Sequence, residues 1–469
     1  MSGMSFTIAL VYVLAAACFV VGLHLMNSPA TARRGNQVSA GGMATAVAAT
    51  VVLLAQHHVG AVNWIVMAAA GLAGAVAGAA EARAVKMTAM PQLVSLFNAA
   101  GGGAAALLAV TDILASRPGR LPNLALITGV LDIAIGLVTF TGSLVAAGKL
   151  QGWIPGQPVA VRATRRLNGP LAATFLAGGG WLVVNPGSTV ALVLLLAAAA
   201  AFGVSMVLPI GGADMPVVIS LLNAFTGTAV AMAGFVIGNT TLIIAGALVG
   251  AAGSILTKLM ADAMNRSLTS IIMGGFGTGD NQVARPGTAG TAAVRQVTAD
   301  DAAIQLGYAS KIIIVPGYGL AAAQAQHELA TLASYLESRG AEVSYAIHPV
   351  AGRMPGHMNV LLAEANVPYP QLTEMDEINP QFSQADVALV VGANDVTNPA
   401  ARRPGNPLSG MPILDVDHAR SIIVIKRSLG HGYAGVDNEL YTNPKTAMFF
   451  SDAKKGLADL LAAVKTLVA

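Results

Sequence analysis

Nine apolar stretches, each long enough to cross a membrane, lie within residues 1–265 of this chain. A spanning helix needs roughly 20 mostly apolar residues, because the hydrocarbon core of a bilayer is about 30 Å thick. The pattern therefore predicts a multi-pass α-helical membrane domain of about nine helices. We expect these helices near Ser5–Met26, Val38–Ala55, Ala61–Ala80, Gln92–Leu114, Leu124–Ala147, Gly169–Val184, Ser188–Leu208, Pro216–Ile237 and Thr240–Met260.

Charged residues separate this apolar part from the rest of the chain. Residues 1–285 carry 13 basic and 6 acidic side chains, whereas residues 286–469 carry 13 basic and 17 acidic ones. This distribution excludes a wholly soluble enzyme and predicts a transmembrane domain over residues 1–265, a linker over 266–300 and a soluble domain over 301–469. The net charge of +3 gives no reason to expect nucleic acid. The single Cys18 excludes internal disulfides, and we expect no metal site.

Basic residues lie mainly in alternate loops of the membrane part. Ten of them fall on one side and two, Arg117 and Arg120, on the other. By the positive-inside rule, the N-terminus is outside and the C-terminal domain is cytoplasmic, in a bacterial-type inner membrane. Glycines such as Gly71, Gly74 and Gly78 indicate closely packed helices rather than helices that face lipid.

Four polar residues of the membrane part are candidates for a proton pathway. Asp132 lies inside the fifth predicted helix, where an isolated carboxylate is costly and should be protonated or paired. The segments Met90–Ala99 and Met215–Ala224 share six identities in ten, and each places an asparagine, Asn98 or Asn223, at the same depth. Asp214 precedes the second copy. The alternative is that these side chains only form static hydrogen bonds between helices.

The soluble part opens with a strand, a glycine turn and a helix. A β-branched run from Lys311 leads into Gly317-x-Gly319-x-x-Ala322, followed by a predicted helix over Ala321–Ser338. This arrangement is typical of a dinucleotide-binding turn, in which glycine lets the backbone approach the pyrophosphate and the small third residue lets the helix pack on the strand. Further strands predict a doubly wound, Rossmann-like parallel sheet. They lie near Glu342–Ile347, Ala388–Gly392, Pro412–Asp415 and Ser421–Ile425.

The choice of dinucleotide follows from the residues after the strands. An NAD site usually places an acidic residue after the second strand, and here that strand ends without one. Lys426, Arg427 and Ser428 follow the last strand and suit the 2′-phosphate of NADP(H), since arginine binds phosphate through a fork of donors. The alternative is a solvated basic pair. The glycine-rich segment Gly430–Asn438 could close over a bound nucleotide as a lid.

Long motifs spread over most of the chain resemble the beta subunits of proton-translocating NAD(P) transhydrogenases. In the soluble part they are Pro316–Gly319, Ala323–His327, His348–Val360, Glu374–Asn379, Gly392–Asp395, Lys426–Ser428 and Gly432–Val436. In the membrane part they are Val138–Ser143, Gly211–Pro216 and Met264–Ser267. The resemblance implies NADP(H) as cofactor, with Tyr318, Arg353, Asp395, Gly432 and Tyr433 among the residues that bind it.

The resemblance also implies partners and a mechanism. NAD(H) would lie on one or more alpha subunits, the whole would form a dimer of protomers, and hydride would pass directly between the two nicotinamides, so no catalytic side chain is expected. NADPH formation would be driven by inward proton flow. One departure is that Asn98 stands where some members carry a histidine, and an amide does not titrate near neutral pH. This leaves three candidates for the proton carrier: a group on the partner subunit, Asp132 or bound water.

Two other functions fit the same residues. An ion transporter or channel with a redox-sensing nucleotide-binding domain would keep the fold and the NADP site but would need a self-contained ion pathway. A membrane anchor for a nucleotide-binding protein would need neither the repeated asparagines nor Asp132.

Overall fold

The structure of the protein is a computed structural model. It describes residues 3–26, 28–56, 59–85, 89–115, 123–155, 162–211, 214–264, 267–268, 271, 294–352, 356–404, 408–430, 432, 434 and 436–467. These residues fall into two compact units, one built on Met1–Gly211 and Val217–Thr257 and the other containing the chain from residue 294 onward. The domain bounds at residues 265 and 300 stay a prediction.

The first unit is a set of long helices, as the apolar stretches predict. Since lipid offers no hydrogen-bond partners, a spanning backbone must satisfy its own polar groups, and a helix does so. Nine helices in the described part of the chain are long and apolar enough to cross a membrane. They are α1 (Gly3–Leu25), α2 (Pro29–Gln56), α3 (Ala61–Ala84), α4 (Met90–Ala115), α5 (Asn123–Gln151), α6 (Arg162–Val184), α7 (Thr189–Val207), α8 (Met215–Ile237) and α9 (Thr240–Ala263).

Two helices begin well before the apolar pattern predicts. Helix α2 begins at Pro29 rather than Val38, and α6 begins at Arg162 rather than Gly169. Most of the added residues are polar or basic, so hydropathy does not detect them. Proline suits the first turn of a helix, where its missing N–H costs no hydrogen bond.

Glycine contacts bring pairs of helices into backbone contact. A Cβ placed on Gly136 of α5 would lie 2.5 Å from the carbonyl oxygen of Gly102 in α4. A Cβ placed on Gly227 of α8 would lie 2.4 Å from the backbone nitrogen of Gly250 in α9. Only glycine permits such approach. The pairs α4–α5 and α8–α9 are therefore held at fixed register by their backbones.

Helix α3 contradicts the expectation of close packing at its glycines. It contains no buried residue, and a Cβ on Gly71, Gly74 or Gly78 would meet no atom within 4 Å. The prediction from these three glycines is wrong within this chain. A pattern of small residues permits close approach but does not by itself supply a neighbouring helix.

The second unit contains a six-stranded parallel sheet, which confirms the predicted doubly wound fold. The strand order is β3-β2-β1-β4-β5-β6, the order of a dinucleotide-binding sheet. α-Helices lie in the connections from β1 to β2, β2 to β3 and β3 to β4, whereas short 3-10 turns lie in those from β4 to β5 and β5 to β6. The strands are β1 (Lys311–Pro316), β2 (Glu342–Ile347), β3 (Leu372–Glu374), β4 (Val387–Val391), β5 (Ser421–Lys426) and β6 (Thr446–Phe450). The helices are α10 (Ala299–Gly307), α11 (Tyr318–Ala323), α12 (Gln326–Ser338), α13 (His357–Glu364), α14 (Met375–Ile378) and α15 (Ala453–Leu467).

The central strands form the core of this unit. Every residue of β4 is buried, as are Ile312–Pro316 of β1. Parallel strands covered on both faces read as continuous apolar runs, which is why the sequence predicts them well. Phe382 and Leu414, from the connections between strands, fill one face of the sheet.

The predicted strand Pro412–Asp415 is wrong. The segment is irregular and ends in a short 3-10 turn, Val416–His418. Its backbone bonds outside any sheet, since the Leu414 N–H donates to the Val396 carbonyl oxygen and the Asp415 N–H to the Asn379 side chain. The two strands missed by the sequence analysis, β3 and β6, are only three and five residues long.

We predict opposite effects for two Gly→Ala substitutions in the helical unit. Gly227→Ala forces a methyl group against the Gly250 backbone, and such overpacking costs about 1–3 kcal/mol. Gly180 in α6 meets nothing within 4 Å, so Gly180→Ala should gain about 0.5–1 kcal/mol from helix propensity. Thermal unfolding of the purified chain in detergent measures both. Equal melting temperatures for the two variants would contradict the packing described for α8 and α9.

Candidate functional site

The centre of the sheet brings two turns together at its carboxyl edge. Strands β1 and β4 are neighbours, and the chain leaves them in opposite directions, which creates the crevice where doubly wound sheets bind ligands. The Gly317 N–H donates to the Val391 carbonyl oxygen, and the Gly319 N–H to that of Gly392, each at 2.9 Å. The turn after β1 therefore lies directly on the turn after β4.

The glycines of this motif serve the contact between the two turns. A Cβ on Gly317 would lie 2.4 Å from Cα of Ala393, and one on Gly319 would lie 2.6 Å from Cα of Gly392. The space is thus occupied by the second turn. The assignment of these glycines to the approach of a pyrophosphate stays a prediction, and the contact with the second turn is a further reason for glycine at both positions.

The third motif position and the helix differ from prediction. Ala322 is exposed, and its neighbour Ala321 is buried instead, so Ala321 provides the small residue at the helix–strand contact. The predicted helix Ala321–Ser338 is divided into α11 and α12, because Gln324 adopts a left-handed conformation with φ of 51°. The motif therefore opens a six-residue helix rather than a long one.

Lys426, the last residue of β5, and the two residues that follow it have different environments. Arg427 and Ser428 are exposed, whereas Lys426 is half-buried. The Lys426 ammonium donates to the Gly430 carbonyl oxygen, and to Tyr441 Oη at 3.2 Å. Burial lowers the pKa of Lys426, and the negative charge of Asp395 opposes that shift. Arg427 and Ser428 thus remain accessible to a ligand, while Lys426 is already bonded within the site.

Asp395 contacts the segment predicted as a lid. Its Oδ2 accepts a hydrogen bond from the Ala434 N–H at 3.0 Å. A Cβ on Gly432 would lie 2.1 Å from Asp395 Oδ1, so a larger residue at 432 would displace the carboxylate. The structure brings Asp395, Gly432 and Lys426 together, as the resemblance implies. Arg353 and Tyr433 lie outside the described residues.

An asparagine network around Tyr441 was missed by the sequence analysis. When the side-chain amide of Asn394 is oriented so that its oxygen and its nitrogen both have partners, the oxygen accepts from Gly432 N at 2.7 Å and the nitrogen donates to Tyr441 Oη at 3.0 Å. Asn398 Nδ2 donates to the Asp437 carbonyl oxygen, and Asn438 Nδ2 to that of Asn394, each at 3.0 Å. Asparagine often bonds backbone groups in turns, but the sequence does not show which turns are connected. The network holds the described residues of the segment 430–441 against the turn after β4.

In the helical unit, Asn98 links the two copies of the repeat. Its Nδ2 donates to the Ile219 carbonyl oxygen at 3.3 Å, and its own carbonyl oxygen accepts from Thr226 Oγ1 at 3.3 Å. Asn98 is buried, whereas Asn223 is half-buried. The side chain of Asn98 thus meets the backbone of the second copy. Asp214 is buried directly before α8.

Asp132 is fully buried in α5, and neither carboxyl oxygen has a hydrogen-bond partner among the described residues. The Gly102–Gly136 contact aligns α4 with α5. Asn98 and Asp132 each lie one turn from this contact, on opposite sides of it. At 1.5 Å per residue they are separated by roughly 12 Å along the bundle.

His348 connects the end of β2 to the segment wrongly predicted as a strand. Its Nδ1 accepts from the Val350 N–H at 3.2 Å, and its Nε2 lies 2.9 Å from the Pro412 carbonyl oxygen. This pair of bonds requires the neutral imidazole with its proton on Nε2. Burial lowers the pKa of His348 to about 4, although the bond to Pro412 partly opposes the shift.

We predict that the region around His348 loses stability as pH falls from about 6.5 to 4. Because the folded pKa lies below the ordinary value, the unfolded chain binds the proton more readily in that window, which costs up to about 3 kcal/mol. Amide hydrogen exchange of peptides around Val350 and Pro412, corrected for intrinsic rates, should show less protection at pH 5 than at pH 7. His348→Gln should remove this dependence and the exposed His418→Gln should keep it. Equal protection at both pH values would contradict the assignment.

Comparison with known proteins agrees with the fold and with the sequence motifs. The family model for the NAD(P) transhydrogenase beta subunit matches residues 8–463. Two proteins from Rhodospirillum rubrum, both named NAD(P) transhydrogenase subunit beta, are each 48% identical to this chain over 451 residues. The alignments cover 95% of this chain and 96% of each relative. The chain therefore belongs to the NAD(P) transhydrogenase beta subunit family, whose members are membrane subunits of an oxidoreductase complex that uses nicotinamide nucleotides.

Proposed function

We propose that this chain binds NADP(H) and conducts protons in a transhydrogenase that couples hydride transfer between NADH and NADP⁺ to inward proton translocation. The observation that carries the proposal is the buried carboxyl group of Asp132, which has no hydrogen-bond partner among the described residues, in a chain that also has a dinucleotide-type crevice. A membrane anchor for a nucleotide-binding protein does not need this carboxyl group. NAD(H) would bind to the alpha subunit, so this chain alone would not complete the reaction.

The NADP(H) site would lie at the carboxyl edge of the sheet. The exposed guanidinium of Arg427 and the Ser428 hydroxyl suit a 2′-phosphate, and the half-buried Lys426 adds positive charge beside them. When bound, the nicotinamide supplies the hydride chemistry, and the protein needs no acid or base. The proposed binding residues are Gly317, Tyr318, Gly319, Ala322, Arg353, Asp395, Lys426, Arg427, Ser428, Gly432 and Tyr433.

Closure of the segment 430–441 would control access to this crevice. Asp395 and Asn394 hold that segment by bonds to Ala434 and Gly432, so it opens only when those bonds break. Coupling requires that NADP⁺ and NADPH favour different populations of the open and closed states, and that protonation in the membrane bias the same two states. Hydride transfer and proton passage would then drive each other.

The proton pathway would use Asp132, Asn98, Asn223 and Asp214. A carboxyl inside a bundle must hold a proton or pair with a counter-charge, and Asp132 has no such partner in the described part of the bundle. Asn98 can both donate and accept, and it contacts α8, the helix that carries Asn223 and follows Asp214. Asp132 would thus carry the proton that an amide at position 98 cannot.

The surroundings of the chain form part of the proposal. We place it in a bacterial-type inner membrane with the N-terminus outside and the nucleotide-binding part in the cytoplasm, because basic residues dominate the loops on that side. The complete enzyme would be a dimer of protomers, each containing one beta subunit with its alpha subunit or subunits.

We predict that Tyr441→Phe weakens NADP(H) binding by about tenfold, because loss of one buried hydroxyl that serves two donors costs about 1–2 kcal/mol. Those donors are Asn394 Nδ2 and Lys426 Nζ. Tyr308 is 87% exposed, so Tyr308→Phe serves as the matched control. NADPH fluorescence titration of the purified chain measures both, and equal affinities would contradict a role for the Tyr441 network.

We predict that Asp132→Asn severely impairs proton-coupled hydride transfer while leaving NADP(H) affinity nearly unchanged. The amide keeps the size of the side chain but cannot release a proton near neutral pH. Asp112, half-buried near the end of α4, provides the control Asp112→Asn, which should retain coupling. Both are measured with the assembled complex in sealed vesicles. Normal coupled rates in Asp132→Asn would remove Asp132 from the pathway.

A further inference from the structure

Helix α5 ends in a buried lysine that the proposed pathway does not include. Lys149 is 4% exposed. Its ammonium donates to the carbonyl oxygen of Leu208, and to that of Ile210 at 2.7 Å. A buried ammonium costs several kcal/mol unless its donors are satisfied, so the two carbonyls are needed for this side chain to remain inside.

Both carbonyls belong to the turn that follows α7. The last carbonyl groups of a helix lack partners within the helix, and they form the negative end of its dipole. The turn also has two backbone bonds of its own, Leu208 N to Val204 O at 3.0 Å and Ile210 N to Val207 O at 3.1 Å. These hold the turn to α7. Lys149 is the side chain that holds it to α5.

The start of α8 follows this turn in the sequence. Asp214 follows Ile210 by four residues, and α8 begins at Met215. We propose that Lys149 is a positioning residue of the proton pathway: its ammonium fixes the turn after α7, which precedes Asp214 and α8 in the sequence. This inference rests on the proposed function, because it assigns Lys149 to the pathway in which Asp214 takes part.

A simpler role for Lys149 would be general packing of α5 against α7. Thr141 provides a control that distinguishes this role from the proposed one. Thr141 Oγ1 lies 2.9 Å from the Ala200 carbonyl oxygen, so it joins the same two helices. It lies eight residues from Lys149, about 12 Å along α5, away from the turn. Thr141→Val therefore removes one α5–α7 hydrogen bond without touching the connection to α8.

The test compares Lys149→Met, Lys149→Arg and Thr141→Val in the assembled complex in sealed vesicles. Lys149→Met should lower proton-coupled hydride transfer by about tenfold or more, since misplacement of a pathway group by about 1 Å can cost two orders of magnitude. NADP(H) affinity should change by less than about twofold. Lys149→Arg keeps charged donors and should recover most of the rate, and Thr141→Val should stay within about twofold of the parent.

Three outcomes would overturn the inference: a normal coupled rate in Lys149→Met, an equal loss in Thr141→Val, or no recovery in Lys149→Arg. If Lys149→Met fails to accumulate in the membrane, Lys149→Gln keeps two N–H donors for the same carbonyls. The rate of proton-coupled hydride transfer in Lys149→Gln should then lie below that of Lys149→Arg and above the rate that the unmodified complex shows without proton coupling. A rate equal to that of the unmodified complex would show that the ammonium is dispensable. Absence of proton-coupled transfer in the unmodified complex would instead contradict the proposed function.

Discussion

The free-energy cost of placing polar groups inside an apolar bundle constrains the whole membrane part of this protein. A buried polar group needs a partner, and a buried charge needs several. Lys149 meets this requirement with two carbonyl oxygens, and Asn98 with the backbone of α8. Asp132 does not meet it within the described residues. A carboxyl kept at such a cost is best explained by a function that uses its proton.

The sheet-containing part of the protein depends on a different constraint, the contact between two turns. The turn after β1 and the turn after β4 lie so close that Gly317 and Gly319 admit no side chain. Asn394 and Asp395 belong to the second turn, and they hold the segment 430–441 through Gly432 and Ala434. A change at the crevice would therefore reach that segment directly. The proposed coupling would act through this segment.

Sequence patterns predicted the helices and the sheet because both depend on runs of apolar residues that are adjacent in the chain. Nine apolar stretches and continuous apolar strands such as β1 and β4 are visible along the chain. The failures occurred where distant residues decide the structure. Pro412–Asp415 looks like a strand, but its backbone bonds to Val396 and Asn379. The break at Gln324 depends on a single left-handed residue.

The candidate site was only partly predictable for the same reason. Motifs identified Asp395 and Gly432 and the cluster that begins at Lys426, and the structure brings them together. They did not identify Asn438 or Tyr441, because hydrogen bonds from these residues reach groups more than 40 residues away in sequence. The small residues of α3 show the converse limit, since a packing pattern does not reveal whether the neighbouring helix belongs to this chain.

The most direct test measures hydride transfer and internal pH together in sealed vesicles that contain this chain. NADH and an NADP⁺ analogue are supplied on the side that exposes the nucleotide-binding part, with and without the NAD(H)-binding alpha subunit. We predict hydride transfer only with the alpha subunit, accompanied by proton movement that stops when the reaction stops. Hydride transfer without proton movement, or ion flux through this chain alone, would contradict the account.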